Sequence, residues 1–298
     1  MNYLIFGPWT GEFGYELSYW IGECRAIREY YPNHTAIASS FFGRKFLYDF
    51  CDIFLPHTPE SIQQGNNICM CYGHGILPNP KISEFQKNDT VNILPGSIFK
   101  GLTLGGAHGH QQIKESVEFQ KPKKLMAGLE SLALIKSLIN NRPLISIYCR
   151  NLPSGNFKYR WSEEKWVSLI KRLIELGYSV VSLLIGYNQK DIFLDKYETE
   201  NFINFNKIFG ICENMVELQI AFLNMSKYLI TTPCGATMLG YLSETPMVFM
   251  VCEENDPTSH RNAFDIWRKK YSSMVDYIEA KNTIQEITVD ECLSRMKL

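Results

Sequence analysis

Three stretches of this sequence carry residues whose types and spacing suit chemistry on a ligand. The first is Gly7-Pro8-Trp9-Thr10-Gly11-Glu12-Phe13-Gly14, a carboxylate on a turn with glycine on both sides. Gly11 and Gly14 let the backbone come close to a ligand, and Glu12 then has the exposure and fixed geometry of a general base. A plain turn, with Glu12 as a favourable charge at a helix start, accounts for the same residues. The second stretch is Arg150, followed across a short loop by Lys158-Tyr159-Arg160-Trp161. Arg150 and Arg160 present forks of donors that keep their charge at physiological pH, which suits a diphosphate; pairing with acidic surface neighbours is the ordinary alternative. The third is Thr231-Thr232-Pro233-Cys234-Gly235-Ala236-Thr237, where the small residues from Cys234 to Thr237 would aim backbone amides at an anion. Packing in a strand-to-helix turn uses the same residue types.

Other signals point away from two common site types. The glycines of the first stretch are spaced by four and three, not as in G-x-G-x-x-G, and Thr35 to Phe42 holds no acidic residue for an adenine ribose. A dinucleotide site is not expected. His108-Gly109-His110 offers two metal ligands without a third, and no Asp-x-Asp occurs. No metal site is expected, and the segment 105–120 reads as a loop of unassigned role. Cys69 and Cys71 would share one face of a strand, which burial explains.

These residues need elements to hold them. Tyr3 to Phe6 is a short apolar strand, and Leu17, Trp20, Ile21, Cys24 and Ile27 follow at helical spacing. Glu12 thus lies between the first strand and the first helix, where open α/β sheets bind ligands. Strands are expected at Thr35 to Ser39 and Ile68 to Tyr72; from Pro78 to Gln120 the periodicity is weak. A helix from about Pro122 to Asn140 ends in Asn140-Asn141-Arg142-Pro143, which sets a domain boundary. Leu144 to Cys149 is the strongest strand, delivering Arg150 at its carboxyl end. Ser162 caps a helix with Trp166, Leu169, Ile170 and Leu173 on one face, stopped at Gly177. Further alternation predicts strands at Val180 to Ile185, Lys207 to Phe209, Tyr228 to Thr231 and Met247 to Val251. Helices are expected at Asp191 to Tyr197, Glu213 to Met225, after Gly235 and at Thr288 to Leu298. The pattern is α/β, with a second doubly wound sheet.

Composition narrows the function classes. Thirty Lys+Arg against 31 Asp+Glu give a formal charge of −1 in 298 residues, so neither a generally basic nucleic-acid coat nor an acidic tail is present. With 45% hydrophobic residues the chain can bury the cores of two domains of about 150 residues each. No apolar run approaches the roughly 20 residues of a membrane helix, and Tyr3 to Phe6 lacks the basic flank of a signal peptide. Nine cysteines without a C-x-x-C pair read as reduced, placing the chain in the cytoplasm.

Taken together, Ile145-Ser146-Ile147-Tyr148-Cys149-Arg150, Arg160-Trp161-Ser162-Glu163-Glu164-Lys165-Trp166, Val180 to Gly186, and Phe209-Gly210 through Glu217-Leu218 to Thr232-Pro233-Cys234-Gly235-Ala236 resemble the GT-B glycosyltransferases. The resemblance is closest to their heptosyltransferase-like and fucosyltransferase-like branches. It implies two Rossmann-like domains facing across a cleft: 1–140 binding the acceptor and 141–298 binding a nucleotide sugar, the last helix packing back on the first domain. It also implies that Arg150 and Cys234-Gly235-Ala236-Thr237 face the donor diphosphate and that Glu12 is the base. Pro233-Cys234 stands where relatives often carry an acidic or hydroxyl residue, and Glu12 is one methylene longer than the Asp of heptosyltransferases.

The expected function is therefore an inverting, metal-independent transfer of sugar to a hydroxyl acceptor, with the nucleotide sugar as co-substrate and no cofactor. Arg160 would join Arg150 at the diphosphate, and Glu16 is the next carboxylate along should Glu12 not serve. Alternatives are a sugar-nucleotide epimerase or pyruvyltransferase, a non-catalytic sugar-nucleotide binder, and a phage-type enzyme acting on hydroxymethylated bases. The last leaves DNA open as an acceptor, although the near-neutral charge favours no duplex-binding face beyond the short cluster Lys121, Lys123 and Lys124.

Overall fold

The structure, a computed structural model, describes residues 2–9, 13–57, 79–86, 89–94, 123–149, 160–183, 193–252, 268–271 and 274–297. The chain divides into two compact units, Met1–Pro122 with Ile211–Val216, and Lys123–Gly210 with Glu217–Leu298. Each contains one all-parallel sheet, so the α/β fold of two doubly wound domains expected from the sequence is the fold observed.

In the first unit the strands are β1 (Tyr3–Phe6), β2 (Thr35–Ser40), β3 (Ile53–Pro56) and β4 (Thr90–Ile93), in the order β3-β2-β1-β4. Ile5, Ile37, Leu55 and Ile82 form its buried apolar cluster. After β1 the chain turns at Gly7, whose φ of +109° only glycine adopts without strain; a Cβ there would lie 2.7 Å from the Ser39 carbonyl oxygen. Helix α1 follows in three consecutive pieces, Phe13–Tyr15, a π-helical Glu16–Trp20, and Ile21–Arg28. The segment 211–216 belongs here because it lies against Gly43: Val216 N donates to the Gly43 carbonyl at 3.2 Å.

In the second unit the strands are β5 (Leu144–Tyr148), β6 (Ser179–Ser182), β7 (Phe202–Asn204), β8 (Ser226–Thr231), β9 (Met247–Cys252) and β10 (Val275–Ala280). Their order is β10-β9-β8-β5-β6-β7. Numbered within the unit this is 3-2-1-4-5-6, the arrangement of dinucleotide-binding sheets. β5 and β9 are buried along their whole length, as apolar strands covered on both faces must be. The helix Glu163–Glu175 buries Trp166, Leu169, Ile170 and Leu173, each worth about 1.5–3 kcal/mol, and Ser162 Oγ accepts from Lys165 N at 3.3 Å as its cap.

Several elements differ from the sequence reading. The third strand lies at Ile53–Pro56, while Ile68 to Tyr72 falls outside the described residues. Lys207 to Phe209 is not a strand: β7 comes earlier, and Asn204 caps a short helix, Phe205–Ile208, by accepting from Lys207 N at 3.2 Å. The segment from Lys123 to Asn140 counts with the second unit. Its backbone is stitched there by Leu125 N to Leu242 O at 2.7 Å and by Asn224, which bonds both Ala127 N and Leu125 O. Glu217 caps its helix, Leu129–Leu138, through Gly128 N and Ser131 Oγ, both at 3.1 Å. The final helix, Val289–Arg295, also belongs to the second unit: Cys292 Sγ meets Met250 Sδ at 3.7 Å, and Lys297 N donates to Tyr228 Oη at 3.1 Å. No helix among the described residues is long and apolar enough to cross a membrane.

Candidate functional site

A parallel sheet leaves a crevice where its strand order reverses, between the carboxyl ends of two strands whose connections leave in opposite directions. In the first unit that point lies between β1 and β4, and in the second between β5 and β8. β1 leads directly into the Gly7–Gly14 stretch. β5 leads through Cys149 to Arg150, and β8 leads into Thr232–Thr237, with Tyr148 and Thr231 as register partners. All three stretches singled out by residue type therefore follow strands at the switch points.

Gly11, Glu12 and Arg150, with Lys158 and Tyr159, lie outside the described residues, as do His108, His110, Cys69 and Cys71. Gly14 is buried in the first helical piece of α1. Arg160 is half-buried, and its carbonyl is held by the Gln285 side chain. The neighbouring Trp161 is fully buried and donates from Nε1 to the Ile287 carbonyl at 2.9 Å, which anchors the approach to the capped helix.

The turn after β8 begins with extended Cys234, continues as a 3-10 turn over Gly235–Thr237 and passes into the helix Met238–Ser243. The Thr237 side chain does not point to a ligand: its Oγ1 is shared with Thr231 Oγ1 at 2.9 Å and with Cys234 Sγ at 3.2 Å, and it reaches the Thr232 carbonyl at 3.3 Å. Its amide is bonded to the Cys234 carbonyl at 3.1 Å. Thr237 thus pins the turn. Gly235 and Ala236 supply the first-turn amides, which by position have no intrahelical acceptor. The Thr232 hydroxyl is buried and has no hydrogen-bond partner among the described residues.

The first unit contains a polar cluster that sequence reasoning missed. Glu16, in the π-turn, has no exposed surface and accepts hydrogen bonds from Ser40 Oγ, Arg44 Nη1 and, at 2.6 Å, Tyr48 Oη. Arg44 is 2% exposed, with its guanidinium 4.5 Å from the Phe13 ring centroid and 4.3 Å from that of Phe41. Burial first, and then the Glu16 carboxylate, holds the Tyr48 hydroxyl well above its usual pKa, so it remains a donor. A carboxylate so enclosed cannot reach a substrate, which removes Glu16 as the alternative base. The usable signal was Arg44 itself, a charge set among Phe41, Phe42 and Phe46.

His57, directly after β3, is 1% exposed and donates from Nε2 to the Trp9 carbonyl at 2.7 Å. Burial outweighs that bond and pulls its pKa down from 6.5 to about 4. Between those values the unfolded chain binds a proton that the folded ring refuses. The His57 contribution is therefore whole above pH 6.5 and shrinks as pH falls toward 4, by about 3 kcal/mol in all. Urea unfolding across that range should show this loss in the parent and not in His57→Phe; equal slopes would disprove it.

Among the described residues no three His, Cys, Asp or Glu side chains gather as a metal site, and the seven described cysteines are free thiols. No protein-family model matches the chain, and no curated protein does either. Solved structures do. A glycosyl transferase of family 9 from Veillonella parvula is 11% identical, with a TM-score of 0.60 over 98% of this chain and 95% of its own. The ADP-heptose heptosyltransferase II of E. coli is 14% identical, with a TM-score of 0.59 over 99% and 97%. The E. coli heptosyltransferase WaaC, solved with ADP-2-deoxy-2-fluoro heptose, is 12% identical, with a TM-score of 0.54 over 99% and 98%. The chain thus shares, along nearly its whole length, the two-domain fold of solved glycosyltransferases.

Proposed function

We propose that this protein is a glycosyltransferase that moves a sugar from a nucleoside-diphosphate donor to a hydroxyl acceptor, inverting the anomeric centre without a metal ion. One observation carries the reading: in a fold shared with solved glycosyltransferases, the carboxylate turn and the two anion-suited stretches all follow strands at the switch points of their sheets. The heptosyltransferase complex with an ADP-linked fluoro-heptose supports a nucleoside-diphosphate sugar as the donor class.

In this reading the second unit binds the donor and the first the acceptor. Glu12 takes the proton of the acceptor hydroxyl as its oxygen attacks the anomeric carbon opposite the leaving diphosphate. Negative charge grows on that diphosphate as the glycosidic bond breaks. Arg150, Arg160 and the amides of Gly235 and Ala236, at the turn that Cys234 opens and Thr237 pins, balance that charge where it develops. The free thiols fit action in the cytoplasm.

Arg150→Ala tests the donor site. Removing a charge-assisted contact worth about 1.5–3 kcal/mol should weaken binding of a nucleoside diphosphate by about 10- to 150-fold. Calorimetric titration of the folded variant measures this, and parental affinity would show that the diphosphate binds elsewhere.

A further inference from the structure

Trp9 and Phe13, the described residues on either side of Glu12, are held by groups that the reaction itself does not use. Upstream, Trp9 has no exposed surface, donates its amide to the Ser39 carbonyl at 2.9 Å, and stacks on Trp20 with ring centroids 5.6 Å apart and planes 24° apart. Its carbonyl accepts from His57 Nε2 at 2.7 Å. Downstream, the Phe13 ring lies on the Arg44 guanidinium, which is tied to Glu16. Both sides meet at His57. Its amide is bonded to the Ser40 carbonyl at 2.8 Å, and its ring stands edge-on to Phe41, centroids 5.3 Å apart, Phe41 being the second ring in contact with the Arg44 guanidinium.

The chemistry of His57 indicates what the residue is for. Among the described residues its buried Nδ1 has no partner, a cost that an apolar ring of the same shape would not carry. The bond to the Trp9 carbonyl is what an imidazole provides here and a phenyl ring does not. The neighbouring π-turn, Glu16–Trp20, is a distortion found frequently at functional sites, and it carries both Trp20 and Glu16.

We propose that His57 is a positioning residue: through the Trp9 carbonyl on one side and the Phe41, Arg44 and Phe13 contacts on the other, it fixes the two residues that flank the segment bearing Glu12. The proposal rests on Glu12 being the base. His57 touches no reacting atom; it fixes the anchors on either side of Glu12, and small misplacements of a catalytic group cost on the order of a hundredfold in rate.

The test compares His57→Phe, His57→Asn and His57→Gln. Phe keeps the ring without its donor, Asn ends short of the Trp9 carbonyl, and the Gln amide can place an N–H where Nε2 stands. In His57→Phe and His57→Asn, amide hydrogen exchange in peptides covering residues 8–14 should rise about tenfold or more. With a turned-over donor, kcat should fall about 10- to 100-fold while KM for the donor stays within about twofold. His57→Gln should recover both protection and kcat. Parental exchange in both the Phe and the Asn variant would overturn the proposal, as would loosened exchange with parental kcat, or a Gln variant no better than Asn. Exchange needs no substrate, so the proposal stays testable if Phe fails to fold or no donor is turned over. Glu12→Gln in the same series separates the two claims. Parental turnover in Glu12→Gln removes the base, and with it the role assigned to His57, even where exchange rises and kcat falls in His57→Asn. The reverse pattern removes His57 and keeps the base.

Discussion

Glu12→Gln should lower turnover by about a hundredfold or more while leaving donor affinity nearly unchanged. The substitution keeps the length and shape of the side chain but cannot accept a proton, so it removes an interaction made only as the acceptor hydroxyl reacts. The donor diphosphate is assigned to groups in the other unit and should not register the change. If Glu12 served only as a favourable charge at the start of α1, the result would be different. Stability would drop by about 0.3–1 kcal/mol, and turnover would remain near parental. Melting temperature, donor affinity and kcat measured on this one variant distinguish the two, and a near-parental kcat would take Glu12 out of the mechanism.

The second large effect concerns the fold of the first unit. Arg44→Met leaves the Glu16 carboxylate buried and without its cation, which should lower stability by about 3–5 kcal/mol. That is a large share of the roughly 5–15 kcal/mol typical of a folded domain. Removing both charges in Glu16→Gln/Arg44→Met should recover most of the loss, because a buried pair contributes little net stability against neutral groups of similar volume. Urea unfolding of the single and double variants checks this. A loss below about 1 kcal/mol in the single variant would mean the pair is hydrated.

The sequence made some elements legible because their burial is uniform or strictly periodic. Leu144–Tyr148 and Met247–Cys252 are apolar at nearly every position because helices cover both faces of a parallel sheet. The helix Glu163–Glu175 shows its cap, acidic first turn and apolar stripe in order. What stayed hidden was short or half-exposed. β4 is four residues with only partial burial, and β10, at the sheet edge, alternates buried and exposed positions too weakly to stand out. The Asn204 cap, rather than the apolar content of Lys207 to Phe209, decided strand against helix there.

The site divides in the same way. Loops that follow strong strands could be located from residue type, since strand order places them. Side-chain partnerships across the sheet could not. Glu16 and Arg44 stand 28 positions apart, and His57 stands 48 from Trp9. Read singly, Glu16 looks like an ordinary helix charge, and the phenylalanines around Arg44 do not name its partner; the pairing of β1 with β2 brings the two together. Thr237 is the converse case, a hydroxyl of the right type at the right turn whose bonds all run inward.

The measurement that bears most directly on the whole account is turnover of a donor panel by the parent protein. Nucleoside-diphosphate sugars are incubated with and without hydroxyl acceptors, in the presence and absence of EDTA, and released nucleoside diphosphate is followed. The account predicts saturable release from at least one donor, faster with an acceptor and unchanged by the chelator. Binding of a nucleotide sugar without release under any condition would make the protein a binder and contradict transferase function, and complete, reversible loss with EDTA would contradict the metal-independent reaction.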